Sequence, residues 1–138
     1  MTDDARELEM LRRGILACCI QRPDIAPTLR AAGMFDPAEF GDKRDKLYVL
    51  AKAIAAMVDR NRPIDVLTLS AFLREHNVTD RVGVEDIGGL LDEVPIVDGA
   101  RCVVWVESLR RLMLSRNDPM AAQNAEQIGA GKRRLTIG

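Results

Sequence analysis

The sequence predicts an all-α protein, on three observations. Apolar residues make up 47% of the chain but aromatic residues only 4%, and the apolar supply is mainly Leu, Ala, Val, Ile and Met. That mix suits helix packing better than a pleated sheet. The clearest apolar pattern, Leu47, Leu50, Ala51, Ile54, Met57 and Val58, recurs at the three-and-four spacing of a helix with one buried face. Segments with this spacing are separated by Pro, Gly, Asn and Asp, the residues that start and stop helices. A chain of 138 residues can build one core and is too short for two ordinary domains. The expectation is a compact bundle of about six helices over residues 1–116. A weakly helical segment and a basic tail follow over 117–138.

Asp3 or Asp4 can cap a first helix from about Ala5 to Ile20, with Leu8, Leu11, Ile15 and the Cys18/Cys19 pair along one side. Gly14 interrupts it without ending it. A glycine in mid-helix loses about 1 kcal/mol relative to Ala, so its presence predicts another helix crossing close to the backbone. After the break at Arg22-Pro23-Asp24, a shorter helix carries Pro27 in its first turn and stops at Gly33. Asp36-Pro37-Ala38-Glu39-Phe40 reads as a short capped turn, with Phe35 and Phe40 as core plugs. It leads into the central helix ending near Asp59. Pro63 then stops the chain, and Asp65 is placed to cap the next helix, whose apolar side is Val66, Leu69, Phe72 and Leu73. These two helices and their Arg62-Pro63-Ile64-Asp65 corner are the expected centre of the fold.

Asn77 ends that helix, and 78–83 reads as a polar loop. Val84 to Val94 has Ile87, Leu90, Leu91 and Val94 at helical spacing around the weak point Gly88-Gly89, and Pro95 ends it. Asp98 and Gly99 open the last strong helix. Its apolar stripe is Cys102, Val103, Val106, Leu109, Leu112 and Met113, with Arg110, Arg111 and Arg116 near its C-terminal end. Asn117-Asp118-Pro119 forces a break, and Met120 to Ile128 can form one further, Ala-rich helix that a docking partner would hold.

The charge balance, 20 basic against 21 acidic residues, provides no global field for nucleic acid or an anionic membrane. The one concentrated basic run is Lys132-Arg133-Arg134, the candidate nucleic-acid contact. No stretch approaches the about 18 apolar residues of a membrane span, and the acidic start is the wrong sign for a secretory signal. The expected location is cytoplasmic, with no membrane partner. Three cysteines without Cys-x-x-Cys spacing agree with a reducing compartment and read as small buried hydrophobes.

Catalytic patterns do not emerge. His76 is the single histidine, so no multi-histidine metal site can form. Gly129-Ala130-Gly131-Lys132-Arg133 has Glu126 where a phosphate loop needs its first Gly, and Arg133 where it needs Ser or Thr. Adjacent acidic pairs such as Asp92-Glu93 sit about 100° apart on a helix and do not converge. Neither a cofactor nor an enzymatic activity is expected.

Four stretches carry a resemblance. Glu7-Leu8-Glu9-Met10-Leu11-Arg12-Arg13-Gly14-Ile15-Leu16, Glu39-Phe40-Gly41-Asp42-Lys43-Arg44-Asp45-Lys46-Leu47-Tyr48, Arg62-Pro63-Ile64-Asp65-Val66-Leu67-Thr68-Leu69, and Val82-Gly83 with Val94-Pro95 and Val103 to Arg111 follow one another in order. Together they resemble the N-terminal domain of the DnaB-type bacterial replicative helicases over about Ala5 to Arg116. The Pro-Ile-Asp-x-x-Thr corner is the nearest match. The family's His-Arg is Asp45-Lys46 here, the aromatic after its Phe is Gly41, and its Val-Gly-Gly turn reads Val82-Gly83-Val84. The RecA-like ATPase that follows in the helicases has no counterpart in this sequence.

The resemblance implies an all-helical head followed by a helical hairpin that pairs subunits and builds the collar where primase docks. A related fold occurs in the helicase-binding domain of bacterial primases. The implied role is a non-catalytic interaction module that self-associates, as a homodimer or larger, and binds a replicative helicase, primase or helicase loader. Leu109, Arg110, Leu112, Met113 and Arg116 occupy the start of the implied hairpin and are the candidate interaction residues. Two readings of that stripe stay open: it pairs subunits, or it packs on its own head. The alternatives for the chain as a whole are a fragment of a full helicase and a DNA-binding regulator using the 62–65 corner. Against the regulator, Val66, Leu67, Leu69, Phe72 and Leu73 are apolar where a groove-reading helix would carry Arg, Lys, Asn or Gln.

Overall fold

A computed structural model describes residues 3–79, 81–93 and 99–117. The described residues form six α-helices and no strand: α1 Asp3–Gln21, α2 Ile25–Ala31, α3 Lys46–Asp59, α4 Val66–Glu75, α5 Val84–Glu93 and α6 Gly99–Asn117. A 3-10 turn, Pro37–Phe40, lies between α2 and α3. No described helix is long and apolar enough to cross a membrane. The segments 94–98 and 118–138, which include the expected stop at Pro95 and the expected Met120–Ile128 helix, lie outside the described residues.

The centre of the body is α1 rather than the α3–α4 pair. Every residue from Gly14 to Ile20 is buried, because α6, α5, α3 and α2 enclose this half of the helix. Only Leu8, Leu11, Ile15 and the two cysteines had marked one side of α1 in the sequence. The remaining positions are Gly14, Leu16, Ala17 and Ile20, small or aliphatic residues that neighbours can approach from any direction. On α6, Cys102 meets Cys18 and Cys19 while Trp105 lies over Gly14, so α6 runs antiparallel to α1. An ideal Cβ on Gly14 would stand 2.9 Å from Trp105 Cζ3 and 3.2 Å from Cε3. The mid-helix glycine is therefore where another helix crosses closest.

Local chemistry sets the helix ends. α2, α3 and α4 all finish in the same two-bond motif. Met34 N–H donates to Leu29 C=O and Gly33 N–H to Arg30 C=O; Arg62 donates to Met57 and Asn61 to Val58; Val78 donates to Leu73 and Asn77 to Arg74. The pivot residues Gly33, Asn61 and Asn77 have φ of 72°, 59° and 57°, the left-handed conformation in which glycine and asparagine are the least strained. At the start of α4, the Asp65 carboxylate accepts from Thr68 N–H at 2.8 Å, and Thr68 Oγ1 accepts from Asp65 N–H at 3.0 Å. This reciprocal capping box fixes the corner, with Ile64 buried beside it. α5 starts in a related way: the Asp86 carboxylate accepts from Gly83 N–H at 2.9 Å and pairs with Lys46 at 3.0 Å.

Asp36 caps the 3-10 turn through Ala38 N–H, and the turn lays Phe40 against Phe35 with ring centroids 5.3 Å apart. Both rings are buried, as core plugs. Gly41 follows at φ 131°, where Asp45 folds back so closely that a Cβ would overlap its carboxylate.

Candidate interaction surfaces

The C-terminal half of α6 divides the residues singled out on it. Leu109 is fully buried in the head. Arg110 Nε donates to Glu39 Oε2 at 2.7 Å, and its Nη2 donates to the Gly33 carbonyl at 2.8 Å. Arg12 Nε, from α1, donates to the Glu39 carbonyl at 2.8 Å. Glu39 thus joins α1, α6 and the 3-10 turn, and Arg110 serves the fold's own assembly. Leu112 and Met113 are half-buried and pack on the core. The apolar side chains that α6 presents outward are Val104, 55% exposed, and Leu114, 44% exposed. They lie about 80° apart around the axis, with the exposed Glu107 and Arg111 between them along the helix. The side chain of Arg116, at the end of α6, and all of Lys132, Arg133 and Arg134 lie outside the described residues.

A second surface is a cleft of about 470 Å³ between α3 and α4, closed at one end by the loop after α4. Its floor is apolar, made by Val49, Ala53 and Ala56 from α3, Leu73 from α4 and Val78 from the loop. Four cations stand around it: Lys43, Lys52, Arg60 and Arg81. Among the described residues no lining residue is acidic, and none of the four is ion-paired to a described carboxylate. Arg81 donates to the Lys43 carbonyl, which ties the loop after α4 to the segment before α3 and brings both cations to one end.

Phe72 and His76 form the α4 wall. The His76 ring stacks on Phe72 at 4.1 Å between centroids, and His76 Nδ1 lies 3.0 Å from the Phe72 carbonyl. With Nδ1–H as donor to that carbonyl, Nε2 accepts from Arg60 Nη1 at 3.4 Å. The guanidinium carbons of Arg60 and Arg62 also lie 5.4 and 5.5 Å from the Phe72 ring centroid. His76 is therefore engaged in supporting the wall. Sequence reading missed this cleft, because its cations are spread from 43 to 81 and form no run. The available signal was Lys52 in α3 and Arg60 immediately after its end, two exposed cations eight residues apart.

Among the remaining reactive groups, Cys18, Cys19 and Cys102 meet in the core, each fully buried. A hydrogen bond with Cys18 favours the Cys102 thiolate. The hydrogen bond with Cys19, burial, and repulsion from Cys19 outweigh it and push the Cys102 thiol up to about 12. Such a thiol is inert as a nucleophile at neutral pH. No group of three or more His, Cys, Asp or Glu among the described residues could hold a metal ion. Comparison of the chain with models of known protein families, with characterised proteins and with solved structures found no match.

Proposed function

We propose that this chain is a non-catalytic protein-interaction module of DNA replication, akin to the collar domain of DnaB-type helicases. It self-associates and binds a replicative helicase, primase or helicase loader in the cytoplasm. The observation that carries this reading is that the described parts of the stretches of resemblance belong to one helical body. The opening motif lies in α1, the second runs through the 3-10 turn into α3, the Pro-Ile-Asp-x-x-Thr corner forms the capping box of α4, and Val103 to Arg111 lies in α6. Val104 and Leu114 on the outer flank of α6 supply a pairing surface in this reading, beside the half-buried Leu112 and Met113.

The test is light-scattering mass during size-exclusion chromatography, for the chain alone and mixed with its cognate helicase and primase. A dimer, or co-elution at moderate salt, that Val104→Arg with Leu114→Arg abolishes is the expected outcome. A monomer that ignores both partners overturns the proposal. The four cations of the α3–α4 cleft favour a second reading, a nucleic-acid-binding regulator. That reading requires a DNA complex whose affinity falls steeply with salt.

A further inference from the structure

We infer that the α3–α4 cleft is a docking groove for an acidic amphipathic segment of a partner protein, which seats apolar side chains on the floor and carboxylates on the cationic rim. This inference stands on the cleft alone and is independent of the α6 surface. The argument is charge complementarity. The chain as a whole carries a net charge of −1, yet among its described lining residues the cleft gathers four cations and no carboxylate. Lys52 on α3 and Arg60 at its C-terminal end flank one side, while Lys43 and Arg81 stand together at the end held by the Arg81-to-Lys43 hydrogen bond. Like charges brought together without counter-charges repel one another, and a bound anionic partner removes that repulsion.

The floor decides which kind of anion fits. Single-stranded nucleic acid is held by aromatic rings whose faces are open to bases. Here Phe72 is 4% exposed and already covered by His76 and by the guanidinium groups of Arg60 and Arg62. What remains, beside the single half-buried ring of Tyr48, is an aliphatic trough of Val, Ala and Leu between two helices, the shape that receives the apolar face of an amphipathic helix. Glu or Asp on that helix's flanks would reach the four cations.

The test is fluorescence anisotropy with the whole chain and three labelled probes. The first is a synthetic peptide of about fifteen residues with Leu at the three-and-four helical spacing and Glu elsewhere. The second replaces Glu with Gln, and the third is an oligothymidine of similar length. Saturable binding of the Glu peptide is expected, at least about tenfold tighter than of the Gln peptide and weakening as salt rises. Lys52→Glu with Arg60→Glu, both exposed side chains, should weaken it by about tenfold or more, and Ala56→Phe should do the same by filling the floor without changing charge. Arg111→Glu on α6 should leave it unchanged. Circular-dichroism melts establish that each variant folds, and the charge pair keeps the test decisive if Ala56→Phe does not. The inference is overturned if the Glu peptide fails to saturate, or binds the charge-reversed variant equally well. Tighter binding of oligothymidine, lost in the same variant, also overturns it and assigns the cleft to nucleic acid.

Discussion

Replacing Gly14 with Ala sets two effects of known sign against each other. In a helix interior Ala is favoured over Gly by about 1 kcal/mol, because glycine loses more backbone entropy on folding. At this position the new methyl would stand 2.9 Å from Trp105 Cζ3, 3.2 Å from Cε3 and 3.6 Å from Cη2. The indole is rigid and half-buried between α1 and α6, so relief requires a shift of the ring or of α6, and overpacking of this kind destabilises by about 1 to 3 kcal/mol. The net expectation for Gly14→Ala is a loss of about 1 kcal/mol. With Trp105→Ala the obstacle is gone, and the same Gly14→Ala change should stabilise by about 1 kcal/mol. The double-mutant cycle should therefore return a coupling of about 2 kcal/mol. Trp105→Ala itself removes a half-buried ring at about 2 to 3 kcal/mol, within the stability of an ordinary domain. Urea denaturation followed by far-UV circular dichroism reads all four proteins; Trp105 is the sole tryptophan, so its fluorescence cannot serve throughout. If Gly14→Ala stabilises both backgrounds equally, the close approach of α6 to α1 is wrong.

Two further predictions concern titratable groups. The backbone hydrogen bond from Gly83, and then the ion pair with Lys46, hold the Asp86 carboxyl below its usual range. A carboxyl depressed in the folded state adds stability that is present above its unfolded pKa of about 4 and lost as pH falls through the folded value. Asp86→Asn should lose about 0.5 to 1 kcal/mol at neutral pH, allowing for a side chain one-third exposed, and should flatten the decline of stability below about pH 5. Urea midpoints at several pH values check this, and identical acid profiles for the two proteins would refute it. The three core thiols should resist an aromatic disulfide reagent in the native protein at about pH 8 and react together once it is denatured. Rapid native labelling of any one would contradict their burial.

The readable parts of the fold were those whose cause lies within a few residues. Asp65 and Thr68 are three apart, and their reciprocal hydrogen bonds need nothing else from the chain. Gly33 and Asn77 end helices because their own backbones tolerate the left-handed conformation. Asn61 does the same for α3, although Pro63 was the residue read as the stop. Gly14 was legible for a different reason: a residue that weakens its own helix needs a tertiary cause, and Trp105 is that cause. The place of α1 at the centre was not legible. Enclosure from all sides leaves no polar face, and without a polar face the periodicity that marks amphipathic helices fades.

On the candidate surfaces the division is sharper. The stripe on α6 was visible as a stripe, but whether each residue faces inward or outward depends on the angle at which α6 lies on α1. That angle buries Leu109, engages Arg110 with Glu39 and leaves Val104 and Leu114 exposed. The helical class, most helix boundaries and the corner at Asp65 are legible from neighbouring residues, since propensity, apolar spacing and capping are local properties. That Cys102 joins Cys18 and Cys19, that Glu39 receives Arg110, and that Lys43, Lys52, Arg60 and Arg81 surround one cleft follows from helix packing alone. Each of these convergences joins residues separated by tens of positions, and their distances follow from how whole helices pack.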